Sequence, residues 1–235
     1  MKSRLVLAVA AIAASAVPAW AQDAVEAAAR ARAARIERAL TAIRQRQPQQ
    51  ALAILDPLLV EYDSLYKGER RRIFCGESPA ETVAYAGMRG KGANARDVIV
   101  IERGWCLSLW AKGYVLIDMG RIADAVPFLE RAVAMAPFHA HYLSELGYAY
   151  QAQRDWKRSL DTYRRAAAAA EGFEQGDERN RQLRRAWMGI SFAHVELGNL
   201  DEAEKWLRRC LQLDPKDENA RREMEYIRQQ RAGKI

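Results

Sequence analysis

Histidine and cysteine are scarce in this chain, with three of each among 235 residues. The cysteines form no C-x-x-C pair, which argues against a thioredoxin-like redox site. The G-x-S-x-G element, the phosphate-binding loop, the dinucleotide fingerprint and the spacings of zinc ligands are also absent. His139 and His141 are the one close histidine pair, and we interpret them as surface residues at a helix start. We therefore predict no catalytic residue, no metal site and no cofactor, and we do not expect an enzyme.

Long apolar runs are absent after the first 21 residues, so no later segment is expected to cross a membrane. At the N terminus, Lys2 and Arg4 precede the apolar run Leu5–Ala14, and Ala19-Trp20-Ala21 has the small-x-small pattern of a cleavage site. This arrangement is typical of a secretory signal peptide over residues 1–21. The alternative is an uncleaved apolar anchor. We predict an exported protein, with the periplasm as the first expectation and secretion as the second.

The chain has only a modest excess of positive charge. The formal net charge is +7, and removal of Lys2 and Arg4 would lower it to +5. Arginine is scattered and mixed with glutamate and aspartate, as on solvated helix faces, so binding of nucleic acid is not expected. Arg70-Arg71-Arg72 is the one basic cluster. We interpret it as a solvated loop, with contact to an acidic partner as the alternative.

A 34-residue spacing relates the second half of the chain to itself. Gly113 and Gly147 are 34 residues apart, as are Ala125 and Ser159, whereas Ala203 follows Ser159 after 44, which is 34 plus ten inserted residues. A fixed period of this length predicts stacked helix pairs that bury their apolar faces against one another. The recurring positions are Leu109, Gly113, Gly120, Ala125, Leu129, Ala132 and Pro137; then Leu143, Gly147, Arg154, Ser159, Tyr163 and Ala166; then Trp187, Ser191, Gly198, Ala203, Leu207, Cys210 and Pro215.

These positions resemble the tetratricopeptide repeat (TPR) family, whose unit is a helix–turn–helix with small residues at fixed places and a closing proline. The resemblance covers residues 106–217 well and residues 24–60 weakly. It implies three units, 106–139, 140–173 and 184–217, in a mainly all-α solenoid of antiparallel helix pairs. Members of this family are mostly protein-interaction scaffolds, so the resemblance implies a protein or peptide partner but does not identify it.

Two helical segments flank these units. Residues 22–61 are predicted to form an N-terminal helical hairpin, a degenerate repeat, because two apolar stripes are separated by Gln47-Pro48. Residues 218–235 are predicted to form a capping helix with a polar outer face, begun by Asp217 or Asn219. The ten residues inserted before the third unit are expected to form a loop with an extra helical turn.

Residues 62–104 do not follow the period. Arg72–Cys75 and Asp97–Ile101 are short segments rich in strand formers. With a helix between them, they predict a small parallel two-stranded sheet at about 71–101, packed on the helices. An extended loop is the alternative.

The helix inside this insertion has a clear start. Ser78-Pro79-Ala80-Glu81 is a capping box with proline at the first helical position. The helix is expected to end near Gly90 or Gly92, because glycine readily adopts the left-handed conformation that closes a helix.

Three cysteines in an oxidising compartment leave at least one unpaired within the chain. Cys210 fills the small-residue position that Ala132 and Ala166 occupy in the other units, so it is expected to be a buried, inert thiol. Cys75 and Cys106 are then the candidate disulfide, which would close a loop of about 30 residues and stabilise the fold by about 3–4 kcal/mol. Two separate buried thiols are the alternative.

The resemblance also implies a concave groove lined by the first helix of each unit. The stripe that would face it carries aromatic and methionine side chains with polar neighbours, which suit a peptide. The predicted partner-binding residues are Trp110, Tyr114, Ile117, His141, Tyr148, Gln151, Met188 and Phe192. The lysine, arginine and asparagine residues of the family's carboxylate clamp are not at these positions, so that clamp is not carried over. The alternative is that the N-terminal hairpin or the 62–104 insertion covers the stripe.

Three functions follow from these observations. We predict an exported, non-catalytic scaffold or adaptor that binds a protein or peptide in the groove. A structural subunit of the cell envelope that self-assembles through the aromatic stripe is the alternative. An enzyme acting on envelope material is the third hypothesis and has the least support.

Overall fold

The computed structural model describes residues 19–88 and 97–233. Residues 1–18 of the predicted signal peptide lie outside this part. Within it the chain forms ten helices and one pair of strands. In chain order they are α1 (Ala19–Arg44), α2 (Pro48–Leu65), β1 (Arg72–Gly76), α3 (Pro79–Ala86), β2 (Val98–Glu102), α4 (Gly104–Asp118), α5 (Ile122–Met135), α6 (Ala140–Ala152), α7 (Trp156–Phe173), α8 (Gly176–Glu196), α9 (Leu200–Leu213) and α10 (Glu218–Arg231).

The helices stack as antiparallel pairs, as the sequence period predicts. The pairs are α1–α2, α4–α5, α6–α7 and α8–α9, and the second helix of each packs on the first helix of the next pair. The N-terminal hairpin takes part in this order because α2 packs on α4, although residues 66–103 separate the two helices. One continuous apolar cluster extends from Ile36 in α1 to Ile227 in α10. The mainly helical solenoid predicted from the sequence is thus confirmed.

The turns inside the helix pairs share one backbone conformation. Gly120 and Gly198 have φ values of +74° and +76°, which glycine adopts without steric cost. Arg154 occupies the same turn position with φ +60°, and Arg46 has φ +56° in the turn between α1 and α2. Arg46 precedes Ala51 by five residues, as Gly120 precedes Ala125. The N-terminal hairpin therefore has the turn of a repeat, with arginine where glycine is usual.

Small residues allow the helices to approach closely. A Cβ atom on Gly147 would lie 3.0 Å from the ring of Tyr163, and a Cβ atom on Gly189 in the next pair would overlap the same ring. Tyr163 is buried between these two glycines. The ring thus fixes the distance between helices α6, α7 and α8.

The insertion between α2 and α4 contains the predicted sheet. β1 and β2 pair in parallel, with Arg72 opposite Val98 and Gly76 opposite Glu102, and α3 is the crossover helix. The capping box at its start is present: the Ser78 hydroxyl accepts from the Glu81 backbone N–H, and the Glu81 carboxylate accepts from the Ser78 backbone N–H.

Two further features of the insertion are the end of α3 and a disulfide bond. The prediction that α3 ends near Gly90 or Gly92 is wrong, because the helix ends at Ala86 with Gly87 as its C-cap; Gly90 and Gly92 lie outside the described residues. Cys75 on β1 and Cys106 in the first turn of α4 form a disulfide with Cα atoms 6.2 Å apart. The bond ties the sheet to the solenoid.

Of the ten residues inserted before the third unit, the last eight, 176–183, are helical, so the prediction of a loop with one extra helical turn is wrong. α7 continues to Phe173 and α8 begins at Gly176, so only two residues join them. The side-chain spacing explains the difference, because Ala166, Ala169, Ala170 and Leu183 are buried and extend the apolar stripes of both helices. α8 is consequently 21 residues long and extends past the neighbouring first helices.

The C-terminal helix α10 begins after Asp217. This carboxylate accepts hydrogen bonds from the backbone N–H groups of Asn219 and Ala220, which makes Asp217 the N-cap. Ala220 and Ile227 are buried against α9, while most of the remaining surface of α10 is polar. The helix covers the apolar end of the stack.

Candidate functional site

The concave face of the solenoid contains a cavity of about 1070 Å³. Its floor comes from the first helices of successive units, with Trp110 of α4, His141 and Tyr142 of α6, and Met188 of α8. Arg222 of α10 also lines the cavity. A volume of this size accommodates a few residues of an extended peptide or a small molecule.

Both departures from the repeat form walls of this cavity. Glu77, Ser78 and Glu81 come from the insertion that contains the sheet. Glu174, which directly follows Phe173 of α7, begins the second insertion, the ten residues before the third unit. The two insertions are about 100 residues apart in sequence, so their meeting at one cavity is a property of the folded chain that spacing alone does not reveal.

A column of four aromatic rings connects these walls. Phe74 of β1 stacks on Tyr85 of α3 with centroids 5.2 Å apart, Tyr85 stacks on Phe138 at 5.3 Å, and Phe138 stacks on Phe173 at 4.7 Å. The Tyr85 hydroxyl also accepts from the Phe138 backbone N–H at 3.2 Å. The column connects α3 to the end of α7, where Phe173 lines the cavity.

The predicted stripe divides into two parts in the structure. Trp110, His141 and Met188 line the cavity. The other predicted residues are outside its lining: Tyr114, Ile117, Tyr148, Gln151 and Phe192.

Most of the predicted residues that lie outside the cavity lining are half-buried. Tyr114 packs beside Trp110 with centroids 5.6 Å apart, and Phe192 packs against Trp156 at 6.0 Å. Ile117 and Gln151 are half-buried as well, whereas Tyr148 is 43% exposed. The N-terminal hairpin stacks at the end of the solenoid, and the sheet insertion forms one wall of the cavity. The N-terminal hairpin and the sheet insertion, which were the two segments expected to cover the stripe in the alternative, therefore both lie beside it.

A partly exposed ion-pair network lies on the wall formed by the sheet insertion. Glu77 contacts the guanidinium of Arg103 at 2.6 Å and accepts from Nε2 of His139. His139 is the N-cap of α6, and its Nδ1 accepts from the Tyr142 backbone N–H at 3.3 Å. Burial raises the pKa of Glu77, but the hydrogen bonds and charges of His139 and Arg103 outweigh it and lower this pKa to about 2.

The second histidine of the pair also has a structural partner. Nδ1 of His141 accepts from Arg185 at 3.1 Å, and Arg185 donates to Glu145 at 2.7 Å. Burial, together with the charges of Arg185 and His139, lowers the pKa of His141 to about 4, so its ring is neutral at neutral pH. Among residues 19–88 and 97–233 no group of three or more histidine, cysteine, aspartate or glutamate residues could hold a metal ion.

Several buried polar atoms at the cavity have no hydrogen-bond partner within the described chain. They are Nε1 of Trp110, the hydroxyl oxygen of Tyr142 and Oε1 of Gln182. A buried polar atom without a partner is costly, because it loses its bonds to water. Each of these atoms is a position at which water or a ligand can supply the missing bond.

Most of the polar and charged lining was not predicted from the sequence. Glu81, Arg184 and Tyr142 were outside the predicted stripe, and Arg181 and Gln182 lie in residues expected to form a loop. An indication was present for Tyr142, because it lies one position from His141 near the start of a first helix. No period or motif identifies the insertion residues as part of the groove.

The comparisons with known proteins agree with this architecture. Tetratricopeptide repeat models match residues 111–172 and residues 184–227. No curated protein matches the chain. In the described part, none of the helices is both long and apolar enough to cross a membrane.

Solved structures show the same fold at low identity. MamA from Desulfovibrio magneticus RS-1 superposes with a TM-score of 0.57 at 14% identity, covering 86% of each chain. PilF from Pseudomonas aeruginosa superposes with a TM-score of 0.59 at 14% identity, covering 87% of this chain and 70% of that chain. The first TPR of Spaghetti (RPAP3), solved with an HSP90 peptide, has a TM-score of 0.47 at 23% identity and covers 54% of this chain and 93% of its own.

The helix pairs, the turn conformation and the family matches lead to the same assignment. Residues 111–172 and 184–227 are tetratricopeptide repeats, and together with the N-terminal hairpin and α10 they form a TPR-like helical solenoid.

Proposed function

We propose that this chain is an exported, non-catalytic adaptor that binds an extended segment of another protein in the cavity on its concave face. The observation that carries this proposal is the cavity itself, about 1070 Å³ in volume and formed by first helices together with both insertions. Its combination of apolar floor and polar rim is typical of surfaces that recognise peptides.

The rigidity of the cavity supports the same function. The aromatic column and the disulfide between Cys75 and Cys106 hold the insertion in place on the solenoid. A preformed groove binds a flexible segment with less loss of conformational freedom on the side of the receptor. Two insertions directed at one groove favour binding of a specific partner over a purely structural role.

Site-specific photo-crosslinking in living cells tests the groove. A photoreactive amino acid replaces Met188, which lines the cavity, and in a control protein it replaces Val60, which is 64% exposed on α2. We expect a discrete crosslinked partner from position 188 and not from position 60. Equal crosslinking from both positions, or none from position 188, would contradict the assignment of the groove.

The same experiment tests the alternative of a self-assembling envelope subunit. A second copy of this chain in the crosslinked product, with an oligomer detected by light scattering, would replace the adaptor by that alternative. A monomer at high concentration would exclude it.

The proposed export has an independent test. N-terminal sequencing of the protein from a periplasmic fraction should begin at Gln22, after removal of residues 1–21. Full-length protein that remains in the cytoplasmic fraction would contradict export without affecting the proposal for the groove.

A further inference from the structure

The charges that line the cavity are not balanced. Arg184 pairs with Asp217, Arg185 pairs with Glu145, and Arg181 pairs with Glu178. Three arginines of the lining are therefore already neutralised. The carboxylate of Glu77 is neutralised in the same way by its ion pair with Arg103.

Three carboxylates of the lining have no cationic partner in the described chain. They are Glu81, Glu174 and Glu223, whereas Arg222 is the lining cation that has no carboxylate partner there. Although the chain carries a formal net charge of +7, this cavity has an excess of negative charge. A partner that places a positive charge here would complement the excess.

Two of these carboxylates belong to one acidic cluster on the insertion side. Glu81 is 4% exposed and accepts backbone N–H groups from Glu77 and Ser78. Burial raises the pKa of Glu174; the charge of His139 opposes this, and the nearby carboxylates Glu178, Glu81 and Glu77 raise it further. Glu81 and Glu174 line the same cavity, so their like charges oppose each other there.

An independent observation indicates a ligand at this cluster. Tyr142 is 2% exposed, lines the cavity, and its hydroxyl has no hydrogen-bond partner in the described residues. Glu77 and Glu81 are among the charges that act on this hydroxyl. Gln182, 9% exposed, also lines the cavity with an unpartnered Oε1. Both oxygens can accept a hydrogen bond from a donor inserted beside the carboxylates.

The floor of the cavity suits an aliphatic stem next to that charge. The apolar residues of the lining are Leu107, Trp110, Phe173 and Met188. Lysine and arginine side chains bury their methylene groups on such surfaces while the charged end reaches polar acceptors. An acidic side chain would instead add to the unpaired carboxylates.

We propose that the partner segment inserts a lysine or arginine side chain into this cavity, with the cation bound between Glu81 and Glu174 and hydrogen-bonded to Tyr142. This inference rests on the proposed function, because it names the chemistry that the groove selects.

Four short capped peptides test it, identical except for a central lysine, arginine, norleucine or glutamate. Binding is followed by the Trp110 indole N–H resonance, which is assigned by the Trp110→Phe variant. We expect the lysine and arginine peptides to shift this resonance with affinities at least about fivefold higher than the norleucine peptide, since a charge-assisted hydrogen bond is lost. The glutamate peptide should bind least.

A pair of matched variants assigns the cation to its carboxylate. Glu174→Gln should reduce the affinity for the lysine peptide about fivefold to tenfold and leave the norleucine peptide unchanged. Glu171→Gln removes the same charge three residues earlier on the exposed face of α7 and should have no effect. Equal losses in the two variants would overturn the proposal.

The outcomes separate the two proposals. Equal binding of the lysine and norleucine peptides would overturn the cation-binding inference and leave the groove as a peptide site. Preference for the glutamate peptide would overturn it as well. No shift with any of the peptides would contradict both the inference and the proposed function.

Discussion

The rings of Phe138 and Phe173 are nearly parallel, with an interplanar angle of 10° and centroids 4.7 Å apart. Phe138 lies between α5 and α6, and Phe173 is the last residue of α7. Since Phe138 also stacks on Tyr85, this contact joins the sheet insertion to the end of α7. The sheet insertion and the end of α7 thus stabilise each other.

The aromatic column should contribute measurably to stability. Phe138→Ala is expected to lower the free energy of unfolding by about 2–3 kcal/mol, because a half-buried ring with two stacked neighbours is lost. A double-mutant cycle with Phe173→Ala should give a coupling of about 0.5–1.5 kcal/mol in urea unfolding. Phe128, which has a Lys112 side chain over its ring, serves as the control partner. If Phe128→Ala couples to Phe173→Ala as strongly as Phe138→Ala does, the stacking does not account for the effect.

The close approach of α8 to Tyr163 predicts opposite effects at two glycines. Gly189→Ala should destabilise the protein by about 1–3 kcal/mol, because the new methyl group would overlap the buried Tyr163 ring. Gly172→Ala, in α7 with open space at its Cβ position, should stabilise by up to about 1 kcal/mol through helix propensity. Thermal and urea unfolding of both variants check this. A stabilising Gly189→Ala substitution would show that α8 can move away from Tyr163.

The left-handed arginine in the second repeat predicts a stabilising substitution. Arg154 has φ +60°, a conformation that costs a residue with a side chain about 1–2 kcal/mol. Arg154→Gly should therefore raise the free energy of unfolding by about 0.5–1 kcal/mol. Gln153→Gly, at the preceding residue with φ −85°, is the matched control and should not stabilise. Equal changes for the two variants would refute the explanation by backbone strain.

The cysteines should differ sharply in reactivity. Native protein should react with few or no equivalents of a thiol reagent, since Cys210 is buried and its pKa is raised to about 12 by burial and by the charge of Asp217. Denatured protein should show one thiol, and reduced denatured protein should show three. The double substitution Cys75→Ser/Cys106→Ser should cost about 2–4 kcal/mol. Three thiols in denatured, unreduced protein would exclude the bond.

The network around Glu77 predicts loss of stability in acid. The folded-state pKa of Glu77 is about 2, below the ordinary value of about 4.5. Its contribution is therefore fully present above about pH 4.5 and is lost as the pH falls towards 2. Urea unfolding between pH 6 and pH 2.5 should show a smaller decrease for Glu77→Gln than for the wild type. Glu102→Gln, an exposed carboxylate at the end of β2, is the control and should follow the wild type.

Much of the scaffold could be predicted because its determinants are local. Repeated small residues such as Gly113 and Ala125 report the close helix contacts directly, and the capping box at Ser78 specifies a helix start by itself. The parallel strands were also predictable, since β-branched segments on either side of a helix favour this arrangement. The end of α3 was not predictable from the glycines, because Gly87 closes the helix before Gly90 is reached.

The cavity was only partly predictable because its walls are non-local. Trp110, His141 and Met188 follow from the repeat, whereas Glu81 and Glu174 reach the cavity through the positions of two insertions. Nothing in the spacing relates those insertions. The helical continuation past Ala170 was missed because Glu-Gly-Phe-Glu-Gln-Gly has loop composition, although burial of Leu183 on the far side favours helix.

The meeting of the two insertions also affects the order in which the chain acquires its structure. Helix pairs form contacts between residues close in sequence, and such topologies fold quickly. The hydrogen bond between Glu77 and His139 spans 62 residues, and the stacking of Phe138 on Phe173 needs the end of α7 as well. These long-range contacts require loop closure across several units. We therefore expect the repeats of a newly synthesised chain to form before its cavity, so that occupancy of the cavity would report that folding is complete.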